Sequence, residues 1–465
     1  MSEEIFGNMN DKIDNIKKSN DDFEVFIENL DHWSFSVFVK NSVMNLVDKK
    51  IFSPIEFKFF MEEISPLDKL RKIAINTKFE IFDEEFAEIV VENLPSNKIQ
   101  FVCSFLKNKQ SFFGNFLLKK CLFFLQRKND HCFLLELGKI NEVYSEYIDK
   151  FIKLLLKKLL LFENKYNELH LFFENDEFSH IEIHKQISSL IVASRNTLTH
   201  LSIFFIATFS FDKNSNWKQF CEVLENLVEY ENLESLTLCF ENNQTNSNGF
   251  LIALSFVLKF LFLYQQKISK LAFYYKASDL NFVALEALSD NLEIILPKMT
   301  DISICLSFQY PHFLKLQLDS FLTSFMNGIT VKIKRLTFCL QDEDYDRESA
   351  LMDSVLFDED SMATVLEGIR KTQLSEFNIF LHTKPGIASI FWKNFLLELT
   401  KGQKMLIHSK ICLSLDEKGE KMLKIYSENI KTRRYYLYIA FSLKKKVKKI
   451  YGRIEPLCEI LNWFF

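Results

Sequence analysis

Between residues 70 and 443 one pattern of apolar and polar positions keeps returning. An apolar residue is followed by two variable ones, then by apolar residues at every second place. It reads clearly in "LESLTLCF" from Leu233. It can also be started at Leu70, Tyr166, Leu198, Ile268, Met299, Ile333, Leu374 and Tyr436, with looser copies at Ile99, Cys132 and Leu406. Alternation of period two predicts a short strand in each copy. Successive starts lie 29 to 41 residues apart, a period that belongs to stacked repeats.

The intervening segments carry apolar residues three and four apart and predict helices. Examples are 216–231, 282–296 and 390–402, with Pro95 and Pro297 at two helix-to-strand joins. Each unit is therefore strand, loop, helix and return. One unit cannot bury its own apolar strand face, but stacked units bury it against their helices and their neighbours. The run "FLIALSFVLKFLFLY", 250–264, is 15 residues long with Lys259 inside it. That is short for a membrane span and fits a buried helix of one repeat.

The motif L-x-x-L-x-L followed by a helix, repeated about twelve times, resembles the leucine-rich repeat proteins. The roughly 30-residue helical units are most similar to the ribonuclease-inhibitor-like subclass. The resemblance covers about 70–443. It implies an α/β solenoid, a horseshoe with parallel strands on the concave face and helices on the convex face. The asparagine expected after the strand is poorly kept: Asn175 and Asn242 lie one position beyond its place.

With the first apolar residue of each unit counted as zero, positions 3, 5 and 7 are apolar and face the core. Positions 2, 4 and 6 then face the concave side. Position 4 is small or polar in most units. Position 6 reads Phe172, Phe204, Cys239, Tyr274, Cys305, Cys339, Phe380 and Cys412, aromatic or thiol throughout. Two readings stand side by side. The column is an apolar stripe that binds a protein partner, or it packs beneath the loops that follow the strands. Only Cys305 and Cys339 sit on adjacent rungs as a cysteine pair, so the column is not a four-ligand metal site.

Composition narrows the function classes. Hydrophobic residues make up 48% of the 465, which is a folded chain, and the net charge of −5 calls for neither nucleic acid nor membrane. The 50 phenylalanines, alongside many Lys, Asn and Ile, point to coding bias more than to chemistry. Nine cysteines without a Cys-x-x-Cys, and an acidic N-terminus without an apolar leader, predict reduced thiols in an intracellular protein, cytoplasmic or nuclear. No two glycines lie close enough for a phosphate-binding loop or a dinucleotide fingerprint, and no G-x-S-x-G occurs. "HIEIH" (His180, Glu182, His184) lacks the metalloprotease order and fits an exposed helix. No cofactor and no catalytic residue is expected.

Three segments stand apart from the repeats. Residues 1–66 break the period; "DDFEVFIENLDHW" predicts an amphipathic helix, and the segment is read as an N-terminal helical cap without the Leu-Pro core of an F-box. The acidic stretch 341–360 reads as a solvated loop or a dock for a basic partner. The C-terminal segment 444–465 carries Lys444, Lys445, Lys446, Lys448 and Lys449, a basic patch ahead of an apolar end. The sequence thus predicts a protein-binding scaffold over 67–443. The alternatives are a nucleic-acid-associated protein using the C-terminal lysines, or a structural subunit of a large assembly. Partner identity and oligomeric state are open.

Overall fold

A computed structural model of the chain describes residues 10–18 except 12, 23–29, 33–39, 54–67 except 65, 70–77, 100–105, 132–137, 167–173, 188–206, 224–242, 247–312, 315–342, 358–382, 408–414 and 436–442, with a few isolated positions besides. The architecture is mixed α/β and divides into two compact units. One comprises 1–206 with 230–232, the other 207–229 with 233–465.

In the first unit, helical residues within 10–18 precede a hairpin, β1 (Phe23–Asn29) against β2 (Trp33–Val39), paired antiparallel. This corrects the helix expected over "DDFEVFIENLDHW". Phe23, Val25 and Ile27, then Trp33, Phe35, Val37 and Val39, alternate with period two and are rich in aromatic and β-branched residues. That pattern suits a strand better than a helix. Helix α1 (Pro54–Ile64) follows and begins on Pro54, where a missing N–H costs nothing. Strand β1 also pairs, in parallel, with β3 (Leu70–Thr77). Then come β4 (Gln100–Phe105), β5 (Cys132–Leu137), β6 (Glu168–Phe173) and β7 (His200–Ile206), each parallel to the one before.

The second unit repeats one motif. Its order is β8 (Ser235–Asn242), α2 (Ser247–Tyr264), β9 (Lys270–Asn281), α3 (Phe282–Ile295), β10 (Asp301–His312), α4 (Lys315–Gly328), β11 (Arg335–Asp342), α5 (Glu359–Arg370) and β12 (Glu376–His382). Strands β13 (His408–Ser414) and β14 (Tyr436–Ser442) complete it. All seven strands are parallel and lie side by side in chain order. Helices α2, α3, α4 and α5 touch one another in the same order, so they form a second row. Among the described residues no helix is long and apolar enough to cross a membrane.

The core lies between these rows. Positions 3, 5 and 7 are buried: Leu236, Leu238 and Phe240 on β8, Leu271, Phe273 and Tyr275 on β9, Leu336, Phe338 and Leu340 on β11. They point at the helices. Phe250 of α2 meets Phe240 edge-on at 5.0 Å and stacks with Tyr275, while Phe321 and Phe325 of α4 stack on Phe338. The opening apolar residue of each motif (Leu198, Leu233, Ile268, Met299, Ile333, Leu374) is buried as well.

Polar groups join one repeat to the next. At four strand starts of the second unit one backbone carbonyl accepts from two N–H groups of the following repeat. Glu234 accepts from Ser269 and Lys270, Ser269 from Thr300 and Asp301, Thr300 from Lys334 and Arg335, and Lys334 from Ser375 and Glu376. In the first unit Asn167 accepts from Thr199 and His200 in the same way. The hydroxyls of Thr199, Thr300 and Ser375 donate to those same carbonyls. Among the helices, Asn291 of α3 donates to Ser255 of α2 at 2.9 Å, and Ser361 of α5 donates to Asp319 of α4 at 2.6 Å. Asn281 caps α3 by accepting from the Ala284 N–H, and its own N–H donates to Asn248 of α2. Lys298 donates to the Phe262 carbonyl and so covers an open helix end.

The pairing also fixes each motif's phase. Within the first unit the starts at Leu70, Tyr166 and Leu198 fall in one register, and within the second those at Leu233, Ile268, Met299, Ile333, Leu374 and Leu406 fall in one. Those at Ile99, Cys132 and Tyr436 do not. Gln100 pairs with Lys72, Cys132 with Glu168 and Tyr436 with His408, so these motifs begin one or two residues earlier than read. In "QFVCSF", "CFLLEL" and "YLYIAF" apolar residues stand next to one another, so the apolar pattern accepts more than one phase. One consequence is that Glu136, read as position 4, pairs with Phe172 at position 6.

Candidate functional site

The parallel register brings the predicted column together. Cys239 pairs with Tyr274, Tyr274 with Cys305, Cys305 with Cys339, Cys339 with Phe380 and Phe380 with Cys412. In the first unit Phe172 pairs with Phe204. Neighbouring strands are about 4.8 Å apart, so each of these residues lies beside the next in the register.

The column does not lie open. Phe204, Cys239, Tyr274, Cys305 and Cys339 expose between 0% and 6% of their surface. At position 4, His170, Ser202 and Asn378 are buried too. At those five position 6 residues the column is closed to solvent; the side chains of Phe172, Phe380 and Cys412, and the loops that follow the strands, lie outside the described residues. The reason is legible in the strands: positions 5, 6 and 7 are consecutively apolar, as in "LCF", "FYY" and "FCL", and parallel strands of that kind are covered on both faces. The face opens at position 4, half-buried at Thr237, Ala272, Ser303 and Thr337, and again at position 2 from β9 to β12. There Lys270, Asp301, Arg335 and Glu376 alternate in charge along the register, and Arg335 donates to Asp301 at 2.5 Å. The bond to Asp301 is the main reason the Arg335 guanidinium is held above its ordinary value.

Tyr274 sits in the middle of the column, and its hydroxyl shares a 2.9 Å hydrogen bond with Ser303 of β10. Burial pushes the phenol well above its ordinary 10.0, and the Ser303 bond offsets part of that rise. Below that value both states keep the proton and the group adds no pH slope. Above it the unfolded chain releases the proton while the folded protein holds it, so stability falls as pH rises. Urea unfolding from pH 8 to above 10 should therefore show a shallower loss in Tyr274→Phe than in the natural chain. Equal slopes would contradict burial of the phenol.

The other chemical candidates carry less. Cys239, Cys305 and Cys339 form no disulfide and are buried, and thiols in apolar surroundings are poor nucleophiles. Among the described residues no three His, Cys, Asp or Glu side chains gather as a metal set. His180, Glu182 and His184, the acidic stretch from 343 to 357, and the lysines Lys444, Lys445, Lys446, Lys448 and Lys449 lie outside the described residues.

A different surface stands out. On α2, Phe256, Phe260, Leu263 and Tyr264 are 55%, 43%, 43% and 62% exposed. They recur four, seven and eight residues on from Phe256, which puts them on one outer face. The rings of Phe260 and Tyr264 touch at 4.7 Å. The same helix buries Phe250, Leu254, Val257, Leu258, Leu261 and Phe262 on its inner side. The outer faces of its neighbours are more polar. Glu286, Asp290 and Glu293 are exposed on α3 beside Val283 and Ile294, Ser320, Thr323 and Asn327 on α4, and Glu359, Glu367 and Arg370 on α5.

No protein family and no curated protein matches this sequence. The site is thus defined by its own geometry. Sequence reasoning took 250–264 as a buried helix of one repeat, and the run is apolar all round. That same feature was the available signal, since a helix apolar all round needs cover on every side.

Proposed function

We propose that this chain is a non-enzymatic binding scaffold, a leucine-rich-repeat-like solenoid that recognises a protein partner through a preformed surface. The observation that carries the reading is the exposed stripe Phe256, Phe260, Leu263 and Tyr264 on the outer face of α2. Contiguous large apolar side chains on a surface mark interaction sites, whereas single ones do not. The repeat reading is supported by the carbonyl that accepts two N–H groups at successive strand starts, by the parallel register and by the row of helices. A rigid array of this kind needs little ordering on binding, so burying aromatic anchors translates efficiently into affinity.

The test is capture from native extract by the natural chain and by Phe256→Ser/Phe260→Ser/Leu263→Ser, quantified by mass spectrometry. These side chains already face water, so circular dichroism should be unchanged. A defined protein should be recovered by the natural chain and depleted at least about tenfold by the variant, a change of about 1.4 kcal/mol or more. Equal recovery would remove α2 from the binding surface.

A further inference from the structure

We draw no further inference here: the strongest candidate, the exposed apolar face of α2 formed by Phe256, Phe260, Leu263 and Tyr264, carries none beyond the reading above, because nothing in the structure shows what covers it.

Discussion

Phe338→Ala should cost about 3–5 kcal/mol, the range for emptying a buried aromatic site. Phe338 is fully buried on β11, with the Phe325 ring 4.8 Å away and the Phe321 ring 6.4 Å away, both from α4. Those two rings are fixed to one helix and stack on each other, so they cannot both close on the space left behind. In a stacked array a defect is felt first by the units on either side. Native-state hydrogen exchange should therefore rise most in Lys315–Gly328 and Arg335–Asp342, with smaller changes in Ser235–Asn242. A loss below about 1 kcal/mol would mean that Phe338 does not join strand to helix as described.

Gly368→Ala should destabilise although it improves helix propensity. Alanine in a helix interior is favoured over glycine by about 1 kcal/mol. Gly368 lies in α5, where an added Cβ would stand 2.8 Å from the Met326 sulfur and 3.0 Å from the Met326 Cβ on α4. The thioether can swing away, but the Cβ moves only with the backbone of α4. Overpacking of this kind costs about 1–3 kcal/mol. Gly249 on α2 is the control, because a Cβ there meets nothing within 4 Å. Gly249→Ala should raise the thermal midpoint and Gly368→Ala should lower it. If both raise it, α4 and α5 are not as closely packed as the geometry requires.

Much of this architecture can be read from the sequence, and the failures have specific causes. The rungs from Leu233, Ile268, Met299, Ile333 and Leu374 are legible because polar residues separate the apolar ones early in each strand, which fixes the phase. Helix α3 is legible because its apolar spacing is regular and Pro297 follows its end. The hairpin of β1 and β2 was obscured because Phe23, Phe26, Ile27 and Leu30 keep helical spacing while Phe23, Val25 and Ile27 keep strand spacing. The column of Phe204, Cys239, Tyr274, Cys305 and Cys339 was placed correctly in register, with an open stripe and packing beneath the loops both left standing. The alternation rule assigns a direction to a side chain without saying whether that direction is covered. Consecutive apolar positions at the strand ends carried the missing information. The α2 stripe was missed for a related reason, since hydropathy alone does not separate an apolar residue facing the core from one facing water.

The central claim is an assignment of inside and outside: the position 6 column is sealed, and the outer face of α2 is open. Hydroxyl-radical footprinting of the native chain, read residue by residue by mass spectrometry, tests both halves at once. Phe256, Phe260, Leu263 and Tyr264 should oxidise rapidly, while Cys239, Tyr274, Cys305 and Cys339 stay protected until the protein unfolds, although thiols are the more reactive groups. Rapid oxidation of Cys305 and Cys339 together with protection of Phe256 and Tyr264 would contradict the account and return the binding surface to the strands.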